Sequence, residues 1–464
     1  MCWICPFQVA GGSGYNEPAV TAVGLRRSVS GRRRAVWVGI NRVVTPSRKY
    51  PVLVPGKTTF WKGRMMQMIG TDISNSIQAA SWIRRMFEAG IELKQKFGAD
   101  QVCDFTLGNP DLPPVPEVAR TLRSLADTVE QPLALGYMPN AGLPSARQRL
   151  AEHLAREQGV PLTSSHVIVT CGAAGGLNAI FRTVLERGDE VICPSPYFVE
   201  YGFYTGNYGA KLVPVPSRLP DFSLDLDAIE SVVTARTRIV LIDSPNNPTG
   251  AVYSKNELEA LAAVLARAGE RFGRPIYLVS DEPYRFLAYD GTEVPPVLPL
   301  HEFSMAVGSF SKSLSLAGER VGYIAVNPAM PQSDELIAGL IFCNRTLGYV
   351  NAPVIGQRLV ETALDTTVDA EIYKRRRDAM ASVLREADIE FLLPKGAFYF
   401  FPKVPGQVDD LEFCQLLREE RILAVPGRGF GLPGYFRLTY CMDEAIILRA
   451  AQGFKKAADR ARGK

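Results

Sequence analysis

The chain has 464 residues, 47% of them hydrophobic and 22% charged, with a formal net charge of +4. This length favours more than one domain, and the composition is typical of a globular protein and not of a disordered one. The sequence has no uncharged apolar run of about 18 residues, so no transmembrane helix and no membrane partner are expected.

The first 64 residues differ in composition from the rest of the chain. They contain eleven Lys or Arg and a single acid, Glu17, and carry +10, whereas the remainder carries −6. The mildly acidic remainder gives no indication of nucleic-acid binding. Residues 1–64 are expected to be a basic targeting peptide, a disordered tail, or non-native upstream sequence. We favour the last interpretation, because a secretory apolar run is absent, and place the true start at Met65, Met66 or Met68.

The eight cysteines are scattered through the chain, unlike the dense cysteines of a small secreted disulfide protein. Free thiols in a reducing compartment are therefore expected, and with them a cytoplasmic protein. Cys2 and Cys5 form one C-x-x-C pair, but no second pair lies nearby in the sequence to complete a zinc site, so no metal is predicted.

From about residue 76 the sequence shows regular periodicities. The spacing of apolar residues predicts helices at 76–97, 144–158 and 175–187. Short runs rich in β-branched residues alternate with helical stretches, at 166–170, 190–193, 239–242 and 276–279. This alternation predicts an α/β layer with a mostly parallel sheet. From about Val350 the pattern changes to long helices followed by short strands near 398–401 and 436–439, which predicts a separate α+β domain.

Four predicted strand ends are followed by polar or glycine-rich turns, the place where open α/β sheets bind ligands. The first, T-C-G-A-A-G-G at 170–176, has small residues that let backbone N–H groups approach an anion at a helix N-terminus. The second, S-P-N-N-P-T-G at 244–250, fixes two asparagines between prolines. An ordinary tight turn is the alternative interpretation of both.

The third and fourth turns carry charged side chains. Asp281 ends a predicted buried strand, where a carboxylate is costly unless a cation meets it. The sequence G-S-F-S-K-S offers Lys312 with two hydroxyls, Ser309 and Ser311, and Arg320 follows eight residues after the lysine. Hydroxyls and an arginine can hold a phosphate group, and a lysine amine can act as a Schiff-base nucleophile.

In combination, N-P-T-G (247–250), D-x-x-Y (281–284), S-x-S-K (309–312) and G-x-R-x-G (318–322) resemble the motifs of the aspartate aminotransferase superfamily, class I/II enzymes that depend on pyridoxal phosphate (PLP). The resemblance covers roughly residues 75–455. It implies an α/β protein of fold type I, with a large domain in which helices enclose a mostly parallel seven-stranded sheet, and a smaller α+β domain. The implied boundaries are 65–125 for an N-terminal arm and part of the small domain, 126–345 for the large PLP-binding domain, and 346–464 for the C-terminal small domain.

The resemblance also implies a role for each matching residue. Lys312 would hold PLP as a Schiff base and shuttle a proton, and Asp281 would pair with the ring nitrogen so that the ring acts as an electron sink. Asn247 and Tyr284 would hydrogen-bond the ring hydroxyl. Phe198 would stack on the ring face, with Tyr197 as the alternative. The residues expected at the phosphate are Ala173, Ala174, Ser309, Ser311 and Arg320.

Further positions match residues that bind substrate or reach across a dimer. Arg437 would grip the substrate α-carboxylate with its planar fork, near Asn247, and the backbone at Gly108 would close over the substrate. Tyr137, in G-Y-x4-G, would reach the phosphate of the neighbouring subunit, which implies a homodimer with shared active sites.

The predicted reaction is amino transfer between an L-amino acid and a 2-oxo acid. Arg345 lies one residue out of register with an arginine that binds the distal carboxylate in some aspartate-specific relatives. It favours aspartate or another acidic donor with 2-oxoglutarate, although a surface role is its alternative. A PLP-dependent C–S β-lyase is the alternative function, because both activities share the core motifs. A PLP-binding transcription regulator would need an upstream helix-turn-helix, which the irregular residues 1–64 do not supply.

Overall fold

The computed structural model describes residues 68–79 and 90–464, together with the backbone at 60–61 and 64–65. The chain divides into one unit, Met1–Met68, and a second unit, Ile69–Lys464. In the first unit, two short strands at residues 60–65 pair in antiparallel fashion. The other expectations for residues 1–64 lie outside the described residues.

In chain order the strands of the described residues are β1 (Phe60–Trp61), β2 (Arg64–Met65), β3 (Cys103–Asp104), β4 (Val167–Thr170), β5 (Glu190–Ser195), β6 (Lys211–Pro216), β7 (Thr237–Asp243), β8 (Tyr277–Asp281), β9 (Ser304–Ser309), β10 (Gly322–Val326), β11 (Tyr399–Phe400), β12 (Ile422–Leu423), β13 (Val425–Pro426) and β14 (Phe436–Thr439). Among the described residues, β1 and β2 belong to the first unit and the other strands to the second.

The helices belong to the second unit. They are α1 (Thr71–Ala79), α2 (90–97), α3 (Pro116–Thr128), α4 (Pro144–Gln158), α5 (Gly172–Val184), α6 (Glu200–Gly206), α7 (Leu226–Val232), α8 (Lys255–Phe272), α9 (Phe310–Ser313), α10 (Ser333–Thr346), α11 (Val354–Ala363), α12 (Ala370–Glu386), α13 (Asp410–Glu419), α14 (Glu444–Arg449) and α15 (Ala451–Ala461). Across the described residues, none of these helices has the length and apolarity needed to cross a membrane.

A seven-stranded sheet forms the centre of the second unit, in the order β4-β10-β9-β8-β7-β5-β6. Neighbours are parallel except at β10, which runs antiparallel to both β9 and β4. Along β7, Ile239 and Leu241 join the core on the side of α5 and α10, whereas Val240 and Ile242 join the core on the side of α4 and α8. Helices therefore cover both faces, which explains the continuous apolar strands. The predicted α/β fold with a mostly parallel seven-stranded sheet is confirmed.

The C-terminal part builds two smaller sheets. Strands β11, β14 and β13 form an antiparallel sheet, and β12 pairs in parallel with β3. This second pairing joins Cys103 to Ile422, so residues that precede the central sheet pack with the C-terminal part.

Several predicted elements differ from the observed ones at their ends. Helix 144–158 coincides with α4, but the helix predicted at 175–187 begins three residues earlier as α5, because the small residues after β4 allow the helix to start almost directly from the strand. It also ends earlier, ahead of the turn at Gly188, whose φ is +85°. Of the helix predicted at 76–97, residues 80–89 lie outside the described part, and α1 and α2 occupy its two ends.

Candidate active site

The carboxyl ends of β7, β8 and β9 and the turn after β4 enclose a cavity of about 370 Å³. Parallel strands end at the same edge of a sheet, which brings their terminal side chains together. A larger groove of about 740 Å³ is lined instead by α8 and residues 273–276 and 299–303. The predicted site residues that line the smaller cavity are Gly108, Ala173, Ala174, Phe198, Asn247, Asp281, Tyr284, Ser309, Ser311, Lys312, Arg320 and Arg437.

Lys312 lies in the short helix α9, directly after β9. Its Nζ donates a hydrogen bond to the Gly108 carbonyl oxygen at 2.5 Å and lies 5.3 Å from the centre of the Phe398 ring. Burial is the main cause that lowers the pKa of Lys312 to about 8, and the guanidinium groups of Arg437 and Arg320 act in the same direction. A substantial neutral fraction near physiological pH suits an amine that must act as a nucleophile or a base.

Asp281 is the last residue of β8 and is buried at the wall of the cavity. Its Oδ2 accepts a hydrogen bond from the Tyr201 hydroxyl at 2.7 Å, whereas Oδ1 has no partner among the described residues. Burial raises the pKa of Asp281 to about 7. An unpartnered buried carboxylate oxygen is costly. Asp281 Oδ1 is therefore suited to accept a hydrogen bond from a bound molecule.

Asn247 and Tyr284 follow β7 and β8 and offer polar atoms from the same wall. The Asn247 backbone N–H donates to Asp243 Oδ2 at 2.8 Å, and its Oδ1 accepts from Arg437 Nη1 at 3.0 Å. The Tyr284 hydroxyl lies 2.8 Å from the Tyr399 hydroxyl. Burial raises the pKa of Tyr284, so its hydroxyl stays protonated and available as a donor at neutral pH.

Arg437 belongs to β14, and its guanidinium lies close to two aromatic rings. Its Cζ is 4.7 Å from the ring centres of both Tyr399 and Phe430, a cation–π contact with each ring. Nη2 donates to the Thr106 carbonyl oxygen at 2.7 Å, whereas Nε is buried without a partner among the described residues. A buried guanidinium with an unused N–H suits a carboxylate ligand.

The turn between β4 and α5 and the residues after β9 form a cradle for an anion. Gly172 has a φ of +70°, and a Cβ added there would lie 2.8 Å from Arg320 Nη2, so the backbone lies directly against the guanidinium. Arg320 Nη1 donates to Ser311 Oγ at 3.4 Å, and the hydroxyls of Ser309 and Ser311 are 2.8 Å apart. A helix N-terminus, two hydroxyls and an arginine suit a phosphate.

Three other predicted residues occupy different environments. Phe198 lines the cavity, whereas the Tyr197 ring lies against Gly431. Tyr137 is 96% exposed and lies outside the cavity of its own chain. Arg345 is also exposed, on α10, with its Cζ 5.4 Å from the ring centre of Phe342.

The structure adds residues to the site that the sequence patterns do not single out. Asp243 ends β7 beside Asp281, lines the cavity and has an unpartnered Oδ1 in the described structure. Its signal is an acid directly after the apolar run 239–242. Tyr201 and Tyr399 also line the cavity from distant segments. Tyr201 follows no motif, and Tyr399 ends the stretch P-x-G-A-F-Y (394–399), which resembles a recurring stretch of the same superfamily but predicts no role for the tyrosine.

These groups together restrict the chemistry of the ligand. It must offer a proton donor to Asp281 Oδ1 and a phosphate to the Arg320 cradle, with a flat ring against Phe198. It must also place an electrophilic carbon within reach of Lys312. A phosphorylated pyridine aldehyde has all four features, so the residues present fit such a group.

The sequence matches one protein family. The family model for class I and II aminotransferases matches residues 100–454. A probable aspartate/prephenate aminotransferase of Aquifex aeolicus is 34% identical over 343 residues, which cover 70% of this chain and 83% of the relative. The aspartate/prephenate aminotransferase of Thermus thermophilus is 33% identical over 388 residues, which cover 80% of this chain and 94% of the relative.

Solved structures with this fold include two informative relatives. A crystal structure of an aminotransferase from Eubacterium rectale has a TM-score of 0.82 at 35% identity, covering 85% of this chain and 100% of that chain. The Thermus thermophilus aspartate aminotransferase with maleate has a TM-score of 0.74 at 29% identity, covering 84% of this chain and 100% of that chain.

Proposed function

The chain belongs to the class I and II aminotransferases, a family of PLP-dependent enzymes, and on that basis we propose that it transfers the amino group of an acidic L-amino acid, such as aspartate or glutamate, to 2-oxoglutarate or a similar 2-oxo acid. The observation that carries the proposal is Lys312, whose buried amine lies in one cavity with the Asp281 carboxylate, the Arg320 cradle and the Arg437 guanidinium. PLP, when bound, withdraws electrons from the substrate Cα.

Each group of the cavity then has a task toward that cofactor. Lys312 is the residue that would hold the cofactor covalently, and Asp281 Oδ1 would accept a hydrogen bond from its protonated ring nitrogen. Asn247 and Tyr284 bind the ring oxygen, and Phe198 lies on the ring face. The phosphate is held by the cradle of Ala173, Ala174, Ser309, Ser311 and Arg320.

The substrate is bound by the opposite wall. Arg437 binds the α-carboxylate through its free Nε and its fork, held in orientation by the rings of Tyr399 and Phe430. Lys312 Nζ, when not attached to the cofactor, would be the base that moves the proton of the substrate Cα. The low pKa of Lys312, about 8, supports this role, because a neutral amine is needed to accept that proton.

Tyr137 supports a homodimer with shared active sites. Its side chain is 96% exposed, and its neighbours Leu133 and Leu135 are also exposed, at 88% and 58%. Clustered exposed apolar residues are typical of an interaction surface. We propose that this segment packs on a second copy of the chain, with Tyr137 at the phosphate of the partner's site.

The acidic donor is supported by the relatives' names, which specify aspartate. Arg345 is exposed on α10, and we propose that it serves the distal carboxylate in the partner's site. The cysteines that the structure describes are free thiols, which supports the proposed cytoplasmic location.

The test is a panel of amino donors against 2-oxoglutarate, pyruvate, oxaloacetate and prephenate, the last because two relatives are named for it. Aspartate and glutamate should exceed alanine in kcat/KM, and Arg345→Leu should remove that preference. Arg385→Leu is the control, because Arg385 is also an exposed arginine over a ring, that of Phe391.

Two results would reject the proposal. If Arg345→Leu left the efficiency with aspartate unchanged while alanine was used equally well, the acidic-donor assignment would be wrong. If the protein released pyruvate and ammonia from a cysteine conjugate without any added 2-oxo acid acceptor, the lyase alternative would replace amino transfer.

A further inference from the structure

Tyr399 contacts three functional groups of the active site at once. It is the first residue of β11 and is buried. Its ring lies 4.7 Å from Arg437 Cζ, and its hydroxyl lies 2.8 Å from the Tyr284 hydroxyl. On a third side it lies against Gly108, where an added Cβ would clash with the Tyr399 hydroxyl and lie 2.8 Å from its Cζ.

The contact with Gly108 extends this connection to Lys312. The Gly108 carbonyl oxygen accepts the hydrogen bond from Lys312 Nζ, so Tyr399 supports the backbone that holds the reactive amine. Only a residue without a side chain fits between Tyr399 and this backbone. Tyr399 therefore sets the position of Gly108 as well as contacting Tyr284 and Arg437.

The hydrogen bond between the Tyr399 and Tyr284 hydroxyls can run in either direction, and the number of available protons limits the choice. A tyrosine hydroxyl has one proton and can donate one hydrogen bond. Burial raises the pKa of Tyr399 to about 12 and raises that of Tyr284 as well, so both hydroxyls are protonated at neutral pH. Within the described part of the chain, the Tyr284 hydroxyl has Tyr399 as its single hydrogen-bond partner.

Two arrangements of these protons are possible. If Tyr284 donates to Tyr399, it has no proton left for a ligand. If Tyr399 donates to Tyr284, the Tyr284 proton is free to point into the cavity. An anionic oxygen beside Tyr284 favours the second arrangement, because a hydrogen bond to a charged acceptor is stronger than one between neutral hydroxyls.

We propose that Tyr399 is a positioning residue that donates its proton to the Tyr284 hydroxyl and thereby directs the Tyr284 proton to the ring oxygen of bound PLP. This inference rests on the proposed function, because it takes Tyr284 as a ligand of that oxygen. The Tyr399 ring has a separate task, since it lies against the guanidinium that binds the substrate carboxylate.

The test is Tyr399→Phe, which removes the hydroxyl and keeps the ring. The first measurement is the pH midpoint of the absorbance change of the bound cofactor, without substrate. A donor to the ring oxygen withdraws negative charge that otherwise stabilises the protonated nitrogen of the attached Lys312. Tyr399→Phe keeps Tyr284 as the donor but removes the hydrogen bond that orients and polarises its hydroxyl, so the midpoint should rise by about half a pH unit, a roughly threefold change in the protonation equilibrium and less than in Tyr284→Phe.

Steady-state kinetics separate the hydroxyl from the ring. Tyr399→Phe should lower kcat and change the KM for the amino donor by less than about twofold, because the ring against Arg437 remains. Tyr399→Leu removes the ring as well and should raise that KM. An unchanged kcat in the Phe variant, or an equal rise of KM in both variants, would contradict the separation of the two tasks.

A double-mutant cycle distinguishes action through Tyr284 from general damage. Tyr284→Phe should raise the absorbance midpoint, and Tyr284→Phe/Tyr399→Phe should raise it no further. Tyr440→Phe is the matched control, since the Tyr440 hydroxyl pairs with that of Tyr289 at 3.2 Å in a buried tyrosine pair outside the cavity. Its midpoint should equal that of the unmodified protein.

The outcomes separate this inference from the proposed function. Additive shifts in the cycle, or an unchanged midpoint in Tyr399→Phe, would overturn the inference while the unmodified enzyme still titrates and transfers amino groups. An unmodified protein that binds PLP but transfers no amino group would overturn the proposed function instead. The thermal transition of each variant, measured alongside, verifies that the fold is intact.

Discussion

Asp243 and Asp281 are register partners at the ends of the parallel strands β7 and β8, and each has one carboxylate oxygen without a partner among the described residues. Burial raises the pKa of both carboxyls, and the charge of Asp281 raises that of Asp243 further. A cation between two such groups would relieve both the desolvation and the repulsion. The cofactor-free protein therefore carries the cost of two neighbouring buried carboxyls, which a bound cationic group would reduce.

The variant Asp281→Asn should stabilise the cofactor-free protein and weaken PLP binding. The pKa of Asp281 in the folded protein, about 7, exceeds that of an unfolded aspartate. The folded state therefore binds the proton more tightly, and its stability falls as pH rises from about 4 to about 7. Asn removes this dependence, so the free energy of unfolding at pH 8 should rise by on the order of 1–2 kcal/mol. Denaturant titrations at several pH values measure it.

Asp243→Asn is the control for this prediction. It removes the neighbouring carboxyl but leaves the Asp281 charge in place, so it should stabilise the cofactor-free protein and raise the Kd of PLP by less than Asp281→Asn does. Asp281→Asn should raise that Kd at least about tenfold. Equal Kd values for the two variants would show that Asp281 is not the partner of the ring nitrogen.

Lys312→Ala should abolish turnover while PLP remains bound. The lysine is the proposed covalent attachment and base, so its loss should lower kcat by at least about a thousandfold. The phosphate cradle and Asp281 do not depend on it and should still hold the cofactor non-covalently. Single-turnover kinetics and gel filtration with absorbance detection measure both properties. Lys395→Ala is the control, because it changes an exposed lysine outside the cavity and should leave the activity normal. Normal turnover in Lys312→Ala would refute the mechanism.

The covalent capture of PLP by the cofactor-free protein should depend on pH through the pKa of Lys312. The reactive form is the neutral amine, and burial lowers this pKa to about 8. The capture rate should therefore rise with pH up to about 8 and then level off, whereas an exposed lysine would continue to gain reactivity up to about pH 10. Stopped-flow absorbance between pH 6 and 10 provides the profile, and a rate that still rises above about pH 9 would contradict a buried amine.

The sequence predicts best those elements whose signal is local. The apolar runs 239–242 and 276–279 predict β7 and β8, with ends shifted by one or two residues. Strand β6 is not predicted, because Pro214 and Pro216 remove backbone donors; the structure tolerates them at the edge of the sheet. Strand β9 has few β-branched residues and is a strand because it is buried between β8 and β10.

The same distinction holds in the site. Lys312 and Asp281 belong to short motifs with fixed spacing, so the sequence identifies them. Tyr399 and Tyr284 are 115 residues apart, and their hydrogen bond depends on how the C-terminal strands pack against the central sheet. A single sequence has no local pattern for such a contact. Asp243 is intermediate, because its place beside Asp281 requires the strand order as well as the strand ends.

Gly172→Ala should weaken PLP binding more than it destabilises the fold. Its φ of +70° is unfavourable for alanine by about 1 kcal/mol, and the new Cβ would press on Arg320. Gly273→Ala is the matched control, because Gly273 has a φ of +66° with nothing within 4 Å of an added Cβ. Both variants should lose similar stability, but only Gly172→Ala should bind PLP and inorganic phosphate more weakly in calorimetry. Equal binding by both would place the phosphate elsewhere.

Mixing inactive variants tests whether Tyr137 acts in the partner's active site. If it does, a heterodimer of Lys312→Ala with Tyr137→Ala has one site that lacks both residues and one that has both. Equal mixing after subunit exchange should then restore about a quarter of the wild-type activity, because half of the dimers are mixed and each has one intact site. Arg437 lines the same cavity as Lys312 within one chain, so Lys312→Ala mixed with Arg437→Lys should restore nothing. Recovery in both mixtures, or in neither, would contradict a site completed by Tyr137 of a second copy.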